Sequence, residues 1–204
     1  MTKELELWRF IASHLNEGES VMLLVVAESS GSSPGRQGYK MAVAADGELC
    51  GSIGGGVMEI NLVEKAKSQI SDLKFQTGSE LIEQVHRKSV PHSSGMICSG
   101  KQSVITRLLT SRDLQTVNLI TDALENKVST WLTINPDAFH VGPANVRTLN
   151  TVFTKSSETD FIYTEKLGPK NELFIIGGGH CALALSELMS KMDFYISIFL
   201  TLFI

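Results

Sequence analysis

Two runs of three glycines are the stretches of this 204-residue chain best suited to chemistry. Gly54, Gly55 and Gly56 stand in "GSIGGGVMEI" directly ahead of a helical pattern, and Gly177, Gly178 and Gly179 stand in "LFIIGGGHCALAL" between an apolar run and a second helical pattern. Glycine tolerates positive φ and, having no Cβ, lets backbone N–H groups come close to a ligand. A helix start adds unpaired donors and a partial positive charge. Together these make an anion site from backbone alone, and the structural alternative is a tight turn with close helix packing. Other candidates carry side-chain chemistry. Ser32, Ser33 and Arg36, in "SSGSSPGRQG", offer hydroxyl and guanidinium donors for a phosphate or a heterocycle, although Ser and Pro are also ordinary turn residues. Glu59 falls in the first helical turn, where a carboxylate complements the dipole. Cys98 is either a soft ligand or a small buried hydrophobe. His180 opens the second helix, where the dipole keeps an imidazole neutral and able to bind a metal or heterocycle, or to pack and cap.

The second triplet has the more specific context. Gly177-x-Gly179-x-x-Ala182 follows an apolar strand and opens a helix, as the dinucleotide fingerprint requires. The acidic residue expected about 20 positions further on is missing, since "YISIFL" ends in Leu200 with only "TLFI" after it. NAD(P) is therefore not expected to bind. A single β-α-β unit cannot cover both faces of its sheet, so either a partner chain completes it or the chain is truncated, and the apolar ending favours truncation.

The elements that must position these residues follow from periodicity. Leu5, Trp8, Ala12 and Leu15 mark one face of a helix over 3–16, and the continuous apolar run "SVMLLVVAE" predicts a strand covered on both faces. Asp46-Gly47 between two short apolar segments predicts a hairpin. Val57, Ile60, Val63, Ala66 and Ile70 mark a second helix face. "GMICSGKQSVITRLL" reads as a strand pair or hairpin, "DLQTVNLITDALEN" as helical and "VSTWLTIN" as extended. The polar segment with Gly168-Pro169 reads as a linker over 156–171, which separates an α/β domain over 1–155 from a partial Rossmann-like unit over 172–204.

Composition excludes several functions. A hydrophobic content of 43% with 20% charged residues is that of a globular chain. Its 18 basic and 22 acidic residues, a net charge of −4, argue against sequence-independent nucleic-acid binding. Three cysteines, Cys50, Cys98 and Cys181, without a C-x-x-C pair encode neither a disulfide framework nor a zinc knuckle. Reduced thiols, no signal-like N-terminus and no long apolar run point to the cytoplasm and away from membranes.

In order along the chain, "GSSPGRQGYKM", "DGELCGSIGGGVME", "GMICSG" and "LFIIGGGH" resemble the xanthine dehydrogenase accessory family of the XdhC/CoxI type. The resemblance covers residues 20–200 and implies an N-terminal α/β domain followed by a Rossmann domain opening with G-x-G-H. It also implies that the chain binds molybdenum cofactor, protects it during sulfuration and hands it to a molybdenum hydroxylase such as xanthine dehydrogenase, with a cysteine desulfurase as a further partner. Molybdopterin carries a phosphate, which suits a glycine nest, and its dithiolene and metal suit a soft ligand such as Cys98. Two positions depart from the family pattern: Val57 follows the triplet where many members carry Cys, and Ser99 replaces a Gly after Cys98. The cofactor-binding set expected is Ser32, Ser33, Arg36, Gly54, Gly55, Gly56, Glu59, Cys98, Gly177, Gly179 and His180, with Cys98 as the metal ligand and no catalytic residue. The reading is a homodimeric maturation factor rather than a turnover enzyme. Its rivals are an NAD(P)-dependent oxidoreductase using the Gly177 loop and a cofactor-free scaffold for a partner enzyme.

Overall fold

The computed structural model describes residues 2–72, 78–85, 100–143, 150–169, 171–190, 192 and 194–200. Helix α1 (Lys3–Asn16) starts where the Thr2 hydroxyl accepts from the Leu5 N–H, with Glu4 and Glu6 in its first turn, where carboxylates complement the dipole. Its buried stripe is Leu7, Trp8, Ile11 and Leu15. Leu5 and Ala12, expected at the centre of that stripe, are half-buried at its margin.

Strand β1 (Val21–Gly31) is buried from Val21 to Ala27 without interruption, as a central strand covered on both faces must be. It pairs antiparallel with β2 (Lys40–Ala44) on one side and β5 (Gly100–Leu109) on the other. β3 (Leu49–Gly51) joins β2 through the Asp46-Gly47 hairpin, Gly47 taking φ 91°, and β4 (Ser79–Val85) joins β5. The sheet order is β3-β2-β1-β5-β4. The "KQSVITRLL" segment is thus one long strand with two partners. Its expected hairpin mate within "GMICS" lies outside the described residues.

Helix α2 (Gly56–Ser71) covers one face of this sheet, packing Leu62, Val63 and Ala66 on Met22, Leu24, Val26, Val43 and Val104. Its buried stripe runs Met58, Leu62, Val63 and Ala66, while Val57 and Ile60, expected to face inward, are 43% and 59% exposed. The i, i+4 spacing of 58, 62 and 66 decides which stripe faces the sheet.

The opposite face receives α1, α3 (Leu114–Glu125) and a second antiparallel sheet in a single core containing Trp8, Leu23, Ile105, Ile120, Leu132 and Tyr163. That second sheet has the order β7-β6-β9-β8, from β6 (Thr130–Ile134), β7 (Phe139–Pro143), β8 (Thr151–Ser157) and β9 (Asp160–Leu167). The segment expected as a linker over 156–171 therefore holds a strand with a partner on each side. Phe161, Tyr163 and Leu167 are buried, and Glu165, whose charge made the segment look like surface, is 0% exposed. Its carboxylate meets the Lys40 Nζ at 2.6 Å and accepts from the Tyr163 hydroxyl at 2.8 Å. Lys40 also reaches Glu4 of α1 at 3.3 Å. This buried ion cluster joins β2, β9 and α1.

Beyond Gly168, β10 (Asn171–Ile176), α4 (His180–Met189) and β11 (Phe194–Phe199) form a β-α-β unit with the one parallel pairing among the described residues. Its sheet has two strands, and Phe174, Ile176, Leu183, Leu188 and Phe199 are each more than half exposed.

Candidate functional site

Gly54, Gly55 and Gly56 have φ of 129°, 78° and 74°. Three successive residues in territory that side chains avoid explain the triplet. The chain leaves β3 at Gly51 and must reverse into α2, with Gly55 at the N-cap. A Cβ on Gly54 would lie 2.4 Å from the Gly35 nitrogen, and one on Gly35 would lie 2.2 Å from the Ile53 carbonyl oxygen. A Cβ on Gly100, where β5 starts, would lie 2.5 Å from the Ser33 nitrogen. Three glycines thus bring three segments into backbone contact: the 32–36 loop, the 52–56 loop and the first residue of β5.

The loop's donors are largely used by the loop itself. Oε2 of Glu59 accepts from the Ser52 hydroxyl at 2.7 Å, the Ile53 N–H at 2.8 Å and the Gly55 N–H at 2.9 Å, and the Gly54 N–H donates to the Ser52 hydroxyl at 3.1 Å. Partial burial by itself would push the Glu59 carboxyl up, but the hydrogen bonds from Ser52, Gly55, Ile53 and Gly54 outweigh it and hold the group below its ordinary range. Glycine here does build an anion nest, and the anion it holds is the side chain of Glu59 in the following helical turn. Beyond Gly55, the first-turn N–H groups of α2 have no intrahelical acceptor. A Cβ added to Gly55 would meet no described residue within 4 Å.

Ser33 is buried, and its hydroxyl donates to Oε1 of Gln102 at 2.9 Å. It is thereby committed inside the cluster. Ser32 and Arg36 are exposed, and the Arg36 guanidinium has no hydrogen-bond or ion-pair partner among the described residues. Cys98 lies outside the described residues, and among the described residues no three His, Cys, Asp or Glu side chains gather as metal ligands. Sequence reasoning missed Ser52, Gln84 and Gln102. A buried Gln on a strand (Gln102 is 2% exposed) carries no local signal, because its partners lie 69 and 18 positions away.

The second triplet is built differently. Gly177 has φ 115° and donates its N–H to the Phe199 carbonyl at 2.8 Å, but Gly179 has an ordinary negative φ of −82°. A Cβ on Gly177 or Gly179 would meet no described residue within 4 Å. Gly179 and His180 are exposed at the start of α4. No hydrogen bond or ion pair among the described residues joins them to the 52–56 loop, so the ten expected site residues that the structure describes divide between two places. A depression of about 490 Å³ beside α3, lined by Arg112, Gln115 and Asn118, shares no residue with either.

Comparison with known proteins agrees with this architecture. Residues 14–79 match the model of the XdhC and CoxI family. No curated protein matches the chain. A crystal structure named as a xanthine dehydrogenase from Bacillus halodurans shares the fold, with a TM-score of 0.63 at 20% identity over 97% of this chain. The chain spans 62% of the length of that structure. The 32–36 loop, the β2-β3 hairpin and the glycine loop with the start of α2 all fall within the matched segment. From His14 to Ser79, this chain is similar to the XdhC and CoxI family.

Proposed function

We propose that the chain is a cytoplasmic accessory factor that binds molybdenum cofactor and passes it to a molybdenum hydroxylase such as xanthine dehydrogenase. The observation that carries this reading is the convergence of the 32–36 loop on the glycine loop. It leaves Arg36 exposed one residue from the Gly35–Gly54 contact and Ser32 exposed one residue from the Ser33–Gly100 contact, near the start of α2. A phosphate monoester fits there: an exposed guanidinium supplies charge-assisted bonds, and the α2 terminus supplies oriented N–H donors. Arg36 and Ser32 would hold the phosphate of molybdopterin. Ser33, Gly54 and Glu59 would keep the two loops in register without touching it. When bound, the cofactor would supply the metal–dithiolene centre, and Cys98 would be its soft ligand.

The exposed Val57 and Ile60 add apolar surface on the same helical turns, suited to the flat face of a pterin. On this reading the partners are the hydroxylase client, a cysteine desulfurase that sulfurates the cofactor, and a second copy of the chain. No described helix is long and apolar enough to cross a membrane. Mass spectrometry of small molecules released from natively purified protein tests the proposal. Molybdopterin or its oxidised pterin products are expected; a nicotinamide nucleotide, or no pterin at all, would refute it.

A further inference from the structure

Outside the groups that would touch a ligand, four residues form one directed chain of hydrogen bonds. The buried Ser33 hydroxyl donates to Oε1 of Gln102 at 2.9 Å, Nε2 of Gln102 donates to Oε1 of Gln84 at 2.8 Å, and Nε2 of Gln84 donates to the Met58 carbonyl at 3.3 Å. Gln84 and Gln102 stand directly opposite each other in the β4–β5 pairing, and Gln102 is 2% exposed. Each amide presents its oxygen to a donor and its nitrogen to an acceptor; the Met58 carbonyl can only accept, so flipping Gln84 would set like against like at both its contacts and flipping Gln102 would do so against Gln84. The chain ends on residue 58 of α2. Residue 59 of the same turn holds Ile53 and Gly55, and Gly54 abuts Gly35 beside Ser33. The circuit is therefore closed: loop to strand pair, strand pair to helix, helix to glycine loop, and glycine loop back to the first loop.

We infer that Gln102 is a positioning residue that fixes the 32–36 loop relative to the first turn of α2. The ligand-binding meaning of this role rests on the reading of that cluster as a cofactor site; the coupling itself does not. In a hydrogen-bonded network whose central amide is buried, the orientation of each member depends on the next. Loss of Ser33, at one end, should thus be felt at Met58, at the other, although these two residues do not bond each other.

Amide hydrogen exchange on the full chain tests this with Ser33→Ala and Gln84→Leu, whose sites lie at or near the two ends and spare the buried Gln102. Ser33→Ala is expected to speed exchange about threefold or more at Leu62, whose N–H faces the Met58 carbonyl, and Gln84→Leu to do the same at Gly38 and Tyr39. The double variant should match the more affected single variant rather than the product of the two. Effects confined to each variant's own element, or losses that multiply, would overturn the inference. A parallel titration with molybdopterin separates the two claims, because a wild type that does not bind would remove the functional reading while the exchange result still decides the coupling.

Discussion

At Gly55 the backbone has φ 78° and ψ −175°, a region open to glycine and strained for any other residue by about 1–3 kcal/mol. Space is not limiting there, whereas at Gly54 a Cβ would collide with backbone. Gly54→Ala is therefore expected to lower the melting temperature more than Gly55→Ala; equal losses would show that strain alone, without the Gly35 contact, governs the loop. Glu59 makes a second prediction at the same scale. Its carboxyl is held below the ordinary value of 4.5 by four donors. A depressed folded-state value contributes stability that is fully present above the unfolded value and is lost as the pH falls through the folded one. Stability should therefore decline on acidification below about pH 4.5 more steeply in wild type than in Glu59→Gln. Coincident pH profiles of the two proteins would contradict the nest geometry.

Among the elements, those with a strong local period were legible in the sequence. α1, β1, the Asp46-Gly47 hairpin, α3 and the β10-α4-β11 unit stand where spacing and turn chemistry put them. β9 was hidden because its burial depends on a distant partner: Glu165 can be interior only where Lys40, 125 positions earlier, supplies the opposite charge. β4, "SELIEQV", was hidden by its edge position, which exposes Glu80 and Glu83 to solvent as part of a polar-looking run. The site was half legible. The glycines and the Ser-Ser-Pro-Gly-Arg loop signal themselves, but a carboxylate four positions downstream filling the nest does not, since a first-turn Glu is equally well explained by the dipole. β11 carries a functional consequence of its own. It ends in Phe199 and is followed by Leu200, where the dinucleotide fingerprint places an acid to meet a ribose hydroxyl. Titration with NADH is expected to give no dissociation constant below about 10 µM, roughly −7 kcal/mol, and tighter binding would restore the oxidoreductase reading.

For the molecule as a whole, two sheets share one core with α1 and α3, α2 closes a second core on the far face of the first sheet, and the Lys40–Glu165–Glu4 cluster joins the two sheets and α1. Burial would push the Lys40 ammonium down, but Glu165 and Glu4 outweigh it and hold the group above its ordinary value. Lys40→Met removes the cation from beside a carboxylate that is 0% exposed, and the expected cost is about 3–5 kcal/mol in chemical denaturation; a loss below ~1 kcal/mol would show that the cluster does not tie the layers together. Lys40 also bears on the site, because its carbonyl accepts from the Ser52 N–H at 3.0 Å and so anchors the residue whose hydroxyl engages Glu59. The layered body thus carries the two loops, and Arg36 is exposed on them. The central claim, that this cluster receives the phosphate of a molybdenum cofactor, is tested most directly by calorimetric titration of molybdopterin into wild type and Arg36→Ala at matched ionic strength. Micromolar or tighter binding by wild type, weakened about tenfold or more in Arg36→Ala with an unchanged melting temperature, is the predicted result; no binding by wild type, or equal affinity in the two proteins, would contradict it.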